Sequence, residues 1–112
     1  MPDEKLEQKR CVPCEGKISP MSAAQEQDYI KRIEGWKLVT EGTHRIKREF
    51  TFEDFVQAMG FVNKVADTAE EEGHHPDIYI YYNKVVLELH THAVGGLFEN
   101  DFIMAAKINT IR

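Results

Sequence analysis

A chain of 112 residues, 42% of them hydrophobic, is long enough to bury one core and too short for two. The 14 basic against 19 acidic residues give a net charge of -5, and no run of Lys or Arg is present to neutralise a row of phosphates, which argues against direct nucleic-acid binding. No apolar stretch approaches the roughly 20 residues needed to span a bilayer. The charged start MPDEKLEQKR lacks the apolar centre of a signal peptide, so the expected location is cytoplasmic, with no membrane contact.

Residues 1–18 are mostly charged, contain Pro2, Pro13 and Gly16, and hold no sustained apolar period. They read as a flexible N-terminal arm, with a single domain over residues 19–112. The two cysteines form one motif in that arm, Cys11-Val12-Pro13-Cys14. A second ligand pair for zinc is missing and the strand-to-helix setting of a redox CxxC is absent, which favours ordinary reduced thiols.

Within the domain, Ser22 with Gln25 has the form of a capping box, and Ile30 and Ile33 give a short apolar stripe before Gly35. This is the first helix. Residues 36–40 and 43–50 read as strands around Glu41-Gly42. Thr51 with Asp54 repeats the capping pattern, and Phe55, Met59, Val62, Ala66 and Ala69 follow at helical spacing up to Gly73. Two alternating runs, 78–82 and 85–90 with Asn83 between them, predict a second hairpin. A helical period from Leu97 to Ile111 closes the chain. The order αββαββα argues for an α+β fold, a four-stranded antiparallel sheet with three helices on one face. Its open edge and aromatic-rich face invite a second subunit, so a homo-oligomer is expected.

Four of the five histidines fall within nineteen positions, in Gly73-His74-His75-Pro76 and His90-Thr91-His92. Pro76 biases His75 toward extended backbone, which places the pair on the loop entering a strand. On an extended strand His90 and His92 share a face. Imidazole, with an unperturbed pKa of about 6.5, gives or accepts a proton near neutrality. The nearby carboxylates Glu70, Glu71, Glu72, Asp77 and Asp101 could orient such rings, and spacing does not show which one does. Other readings stand beside this one. A His-His pair before proline is more often a solvated turn. Several imidazoles with a carboxylate also suit zinc or iron, although HExxH spacing is absent. The run Glu70-Glu71-Glu72 reads as a solvated helix end that works against the helix dipole. His44 reads as a surface residue, and Trp36 and the tyrosines as packing.

The ordered string Ala69-Glu70, Gly73-His74-His75-Pro76, Tyr82-Asn83-Lys84-Val85, Thr91-His92, Gly96-Leu97 and Asp101 resembles the pterin-4a-carbinolamine dehydratases, over nearly the whole of residues 19–112. The resemblance implies the same αββαββα fold, assembly as a homodimer or homotetramer, and dehydration of 4a-hydroxytetrahydropterin to quinonoid dihydropterin. That step recycles tetrahydropterin after aromatic amino acid hydroxylases. It implies no cofactor and no metal. His74, His75 and His92 would be catalytic; one division of the work has His74 and His92 exchanging acid and base roles while His75 holds the pterin, but the sequence does not fix it. Glu70, Gly73, His90, Thr91, Ala93 and Asp101 would contact the substrate. Mammalian relatives also act as dimerisation cofactors of a homeodomain transcription factor, which leaves a non-catalytic binding module as the alternative. Two departures stand out. Phe98 occupies the place where the family has a hydroxyl residue to cap the last helix, and His90 stands where a small hydroxyl residue is usual.

Overall fold

The computed structural model describes residues 5–12 and 19–111. Three helices, α1 (Ala23–Ile30), α2 (Phe55–Glu72) and α3 (Glu99–Asn109), alternate with four strands, β1 (Lys37–Val39), β2 (Arg45–Thr51), β3 (Asp77–Tyr81) and β4 (Lys84–Leu89). The strands form one antiparallel sheet in the order β1-β2-β4-β3, so the last strand in sequence lies inside and β3 forms an edge. This is the expected α+β architecture.

The alternation of β4 sets the layers. Val85, Leu87 and Leu89 point to one face and are fully buried, opposite Phe50, Arg48 and Ile46 of β2 and beside Ile78 of β3. The helices cover this face, α2 with Ala58, Phe61, Val65 and Ala69, and α3 with Phe102, Met104, Ala105 and Ile108. The other face carries Lys47, Glu49, Tyr79, Tyr81 and Glu88.

The helix starts follow local hydrogen-bonding chemistry. The Ser22 hydroxyl accepts from Gln25 N–H at 3.2 Å while the Gln25 side chain accepts from Ser22 N–H at 2.9 Å, the reciprocal pair read from the sequence. At α2 the cap lies three residues later than expected. Thr51 ends β2, and Asp54 is the N-cap, its carboxylate accepting from Gln57 N–H at 2.9 Å. The buried stripe of α2 is also rotated from the expected one. Phe55 and Ala66 are exposed, and Ala58, Phe61 and Val65 face the sheet instead, because this helix carries apolar residues on two faces and only one has the sheet beneath it.

The described part of the arm is packed. Residues 6–8 form a 3₁₀ turn, with Leu6 buried against the core. The Lys107 ammonium donates to Glu7 O at 2.9 Å, and Lys9 Nζ lies 2.8 Å from Glu99 Oε2. A single apolar anchor in a charged stretch leaves no periodic signal in the sequence. Cys14 lies outside the described residues. Cys11 is partly buried, and its Sγ lies 3.6 Å from Asn100 O.

Candidate active site

Two chain reversals at one end of the sheet bring the histidines together. The first is at Gly73, which ends α2 in the left-handed region (φ 68°), with its N–H returned to Ala69 O. Most side chains resist that conformation, and glycine adopts it without strain. His74 and His75 follow before the chain enters β3.

The second reversal follows β4. The strand stops at Leu89, and residues 92–94 form a 3₁₀ turn closed by Thr91 N–H to Gly96 O at 2.8 Å. His90 and His92 therefore meet through a turn rather than by strand alternation. Their rings are edge-on, with centroids 4.3 Å apart and planes at 66°. His74, His75, His90, Thr91 and His92 line one cleft of about 260 Å³ together with Gly73. Val12 from the arm and Asn100 from α3 complete its wall.

The two adjacent histidines are held differently. His74 Nε2 lies 2.6 Å from Asp101 Oδ1. The second oxygen of Asp101 accepts from the Thr91 hydroxyl at 2.9 Å and from Phe98 N–H at 3.0 Å. Asp101 is 0% exposed, so this carboxylate is buried with its lone pairs directed to donors, which is how a buried charge is tolerated. With Nε2 engaged by Asp101, Nδ1 is the ring nitrogen of His74 that this carboxyl group leaves available. His75 Nε2 lies equally close to Glu70 Oε2, at 2.6 Å, but both side chains are largely exposed.

Phe98 is the N-cap of α3 and its side chain has no acceptor. The Phe98 N–H is met by the Asp101 carboxylate, and Asp101 N–H by Phe98 O at 3.0 Å. Half of a capping box thus survives the loss of the hydroxyl, and the same carboxylate orients His74.

Of the residues expected to contact substrate, Gly73, His90 and Thr91 line the cleft. Asp101 and Glu70 act on its histidines from behind, and Ala93 is exposed on the 3₁₀ turn away from the lining. Among the described residues, no group of three or more His, Cys, Asp or Glu is placed to hold a metal ion.

Other expectations change. In the acidic run only Glu70 and Glu71 are exposed. The Glu72 side chain is 4% exposed and accepts from Cys11 N–H at 2.9 Å, with Lys107 Nζ at 3.7 Å. His44 Nδ1 lies 2.8 Å from the buried Glu26 carboxylate. Trp36 packs in the core and donates to Asn109 Oδ1 at 2.9 Å, whereas Tyr79, Tyr81 and Tyr82 are exposed. Sequence spacing gave no sign of Val12 or Asn100, which lie 88 positions apart and meet only in the fold.

The model of the family described as Pterin 4 alpha carbinolamine dehydratase matches residues 19–111. A Nitrosospira multiformis protein, provisionally named a pterin-4-alpha-carbinolamine dehydratase, is 45% identical over 106 residues, 95% of this chain and 91% of that one. The Arabidopsis thaliana mitochondrial pterin-4-alpha-carbinolamine dehydratase 2 is 43% identical over 110 residues, 96% of this chain and 59% of the longer plant protein. Among solved structures, the transcriptional coactivator/pterin dehydratase from Brucella melitensis superposes with a TM-score of 0.76 at 34% identity, covering 81% of this chain and 96% of that one.

Proposed function

Because the chain belongs to the pterin-4-alpha-carbinolamine dehydratase family, a family of lyases, we propose that it dehydrates 4a-hydroxytetrahydropterin to quinonoid dihydropterin at the histidine-lined cleft. The reading is carried by the His74–Asp101 pair, an imidazole fixed by a buried carboxylate beside His75, His90 and His92.

The reaction breaks the C–O bond at the tetrahedral ring carbon and forms a C=N bond to the neighbouring ring nitrogen. One proton goes to the departing oxygen, which leaves as water, and one is taken from that nitrogen. A general acid and a general base suffice, and electrons balance without a cofactor. His74 and His92 exchange these two roles. His75, tethered by Glu70, holds the pterin and assists. Asp101 keeps His74 in one tautomer and stabilises its protonated form, the role a carboxylate plays behind any acid–base imidazole. Recycling of tetrahydropterin after an aromatic amino acid hydroxylase is the setting that fits this chemistry.

The purified chain is expected to accelerate dehydration of enzymatically generated 4a-hydroxytetrahydrobiopterin, with His75→Ala and His92→Ala removing most of the effect. A rate equal to buffer alone overturns the reading. We further propose a cytoplasmic homodimer or homotetramer. Sheet edge β3 exposes Tyr79, Ile80 and Tyr81, and light scattering should detect dissociation on Ile80→Lys if that edge is the contact. A second reading, a non-catalytic binding module, draws on Phe55 and Val56, exposed at the start of α2. It predicts capture of a protein partner that tolerates His75→Ala and is lost on Val56→Glu.

A further inference from the structure

We propose that Val12, clamped by Asn100, is a substrate-positioning residue: the arm supplies the apolar wall against which the flat pterin ring is held. This rests on the dehydratase reading of the cleft.

Val12 is the one aliphatic side chain among the described residues lining the cleft, whose remaining walls are chiefly imidazole, hydroxyl and amide. It is 52% exposed, so burial within the domain does not explain why it is held in place. Its backbone is nevertheless fixed on both sides by one amide. Val12 N–H donates to Asn100 Oδ1 at 2.9 Å, and Asn100 Nδ2 donates to Val12 O at 2.6 Å. Asn100 is only 3% exposed, and a buried amide must find partners for both of its ends. Here those ends grip the main chain of a residue 88 positions away and leave its side chain on the cleft wall. Immediately upstream the Glu72 carboxylate receives Cys11 N–H at 2.9 Å, so two consecutive residues of the arm are tied to the domain by hydrogen bonds.

The anchor also has a meaningful neighbour. Asn100 precedes Asp101 in the first turn of α3, and Asp101 holds His74. One helical turn therefore fixes both the proton-transfer imidazole and the aliphatic wall, setting their separation rigidly. A fused heterocycle bound only through hydrogen bonds at its edge can tilt. A branched aliphatic group against its face removes that freedom and binds ground state and transition state alike.

The test is steady-state dehydration of 4a-hydroxytetrahydrobiopterin by the full chain, wild type beside Val12→Ala, Asn100→Ala and the double variant. Val12 is half in solvent, so Val12→Ala folds even if Asn100→Ala does not. Loss of two methyl groups from the wall should raise KM about three- to ten-fold. The value of kcat should change far less, the signature of lost uniform binding. Asn100→Ala should raise KM similarly, and adding Val12→Ala to it should do little more, because the wall is already released. A Val12→Ala chain with wild-type KM, or an Asn100→Ala chain whose KM still responds fully to Val12→Ala, overturns the assignment while the dehydratase reading stands. A wild-type chain that leaves the reaction at the buffer rate overturns that reading, and this assignment with it.

Discussion

His74 and Asp101, 27 positions apart in sequence, meet at 2.6 Å through Nε2 and Oδ1, and the carboxylate oxygen left over closes the first turn of α3 through Phe98 N–H. Helix start and imidazole orientation are thus a single interaction. Asp101→Asn keeps the shape but replaces an acceptor by an amide that cannot serve all three donors. It is expected to lower kcat/KM by about 100-fold, within the range of general acid–base catalysis. It should also lower Tm, since a buried donor left unmet costs roughly 1–3 kcal/mol. Kinetics and thermal denaturation of the same preparation check both, and a variant with the wild-type rate would sink the orienting role.

His75 and Glu70 make a contact of equal length that should matter much less. Both side chains are mostly in solvent, where an ion pair contributes about 0–1 kcal/mol and is screened by salt. Glu70→Gln should therefore change kcat/KM by no more than about five-fold and leave Tm within about a degree, whereas His75→Ala removes most activity. Rates at low and high salt should converge for wild type and Glu70→Gln.

How far the sequence foretells this site depends on the range of each interaction. The α1 cap was legible because Ser22 and Gln25 bond each other within one turn. So was the β3–β4 pairing, which follows from alternation; the meeting of His90 and His92 was not, because it comes from the turn after Leu89 and not from a shared strand face. The α2 stripe was not, since Phe55 and Phe61 are equally apolar and only tertiary packing decides which is covered. The buried state of Glu72 and the packing of residues 5–12 were hidden for the same reason: their partners, Cys11, Lys107 and Asn100, are remote in sequence. The composition of a charged arm carries no record of what it lies against.

The sheet itself should fail at its central strand. Leu87 is fully buried in β4, with β2 on one side and β3 on the other. Leu87→Ala removes buried methyl groups and leaves a cavity, which costs about 2–5 kcal/mol. Asn63→Ala, on the exposed side of α2, should stay within about 0.5 kcal/mol. Urea midpoints for the two variants, with unchanged m-values, check the contrast; equal midpoints would refute the placing of the core.

The attachment of the arm should depend on pH through Glu99. Burial pushes this carboxyl up, but hydrogen bonds from Lys9 at 2.8 Å and Tyr29 at 3.0 Å outweigh it and hold the group below its ordinary value of 4.5. A carboxyl depressed in the folded state stabilises that state above its unfolded value, and the contribution disappears as pH falls through the folded one. The stabilisation is therefore complete near neutrality and is lost below the ordinary value of 4.5 as the carboxylate takes up its proton. Glu99→Gln cannot ionise and should show a lower Tm than wild type at about pH 7, with the gap closing as the pH is taken to about 3. Burial and the same hydrogen bond hold the Tyr29 hydroxyl above its usual value, so it remains a donor throughout this range. A gap between wild type and Glu99→Gln that is constant with pH would show that the carboxylate charge does not hold Lys9 in place.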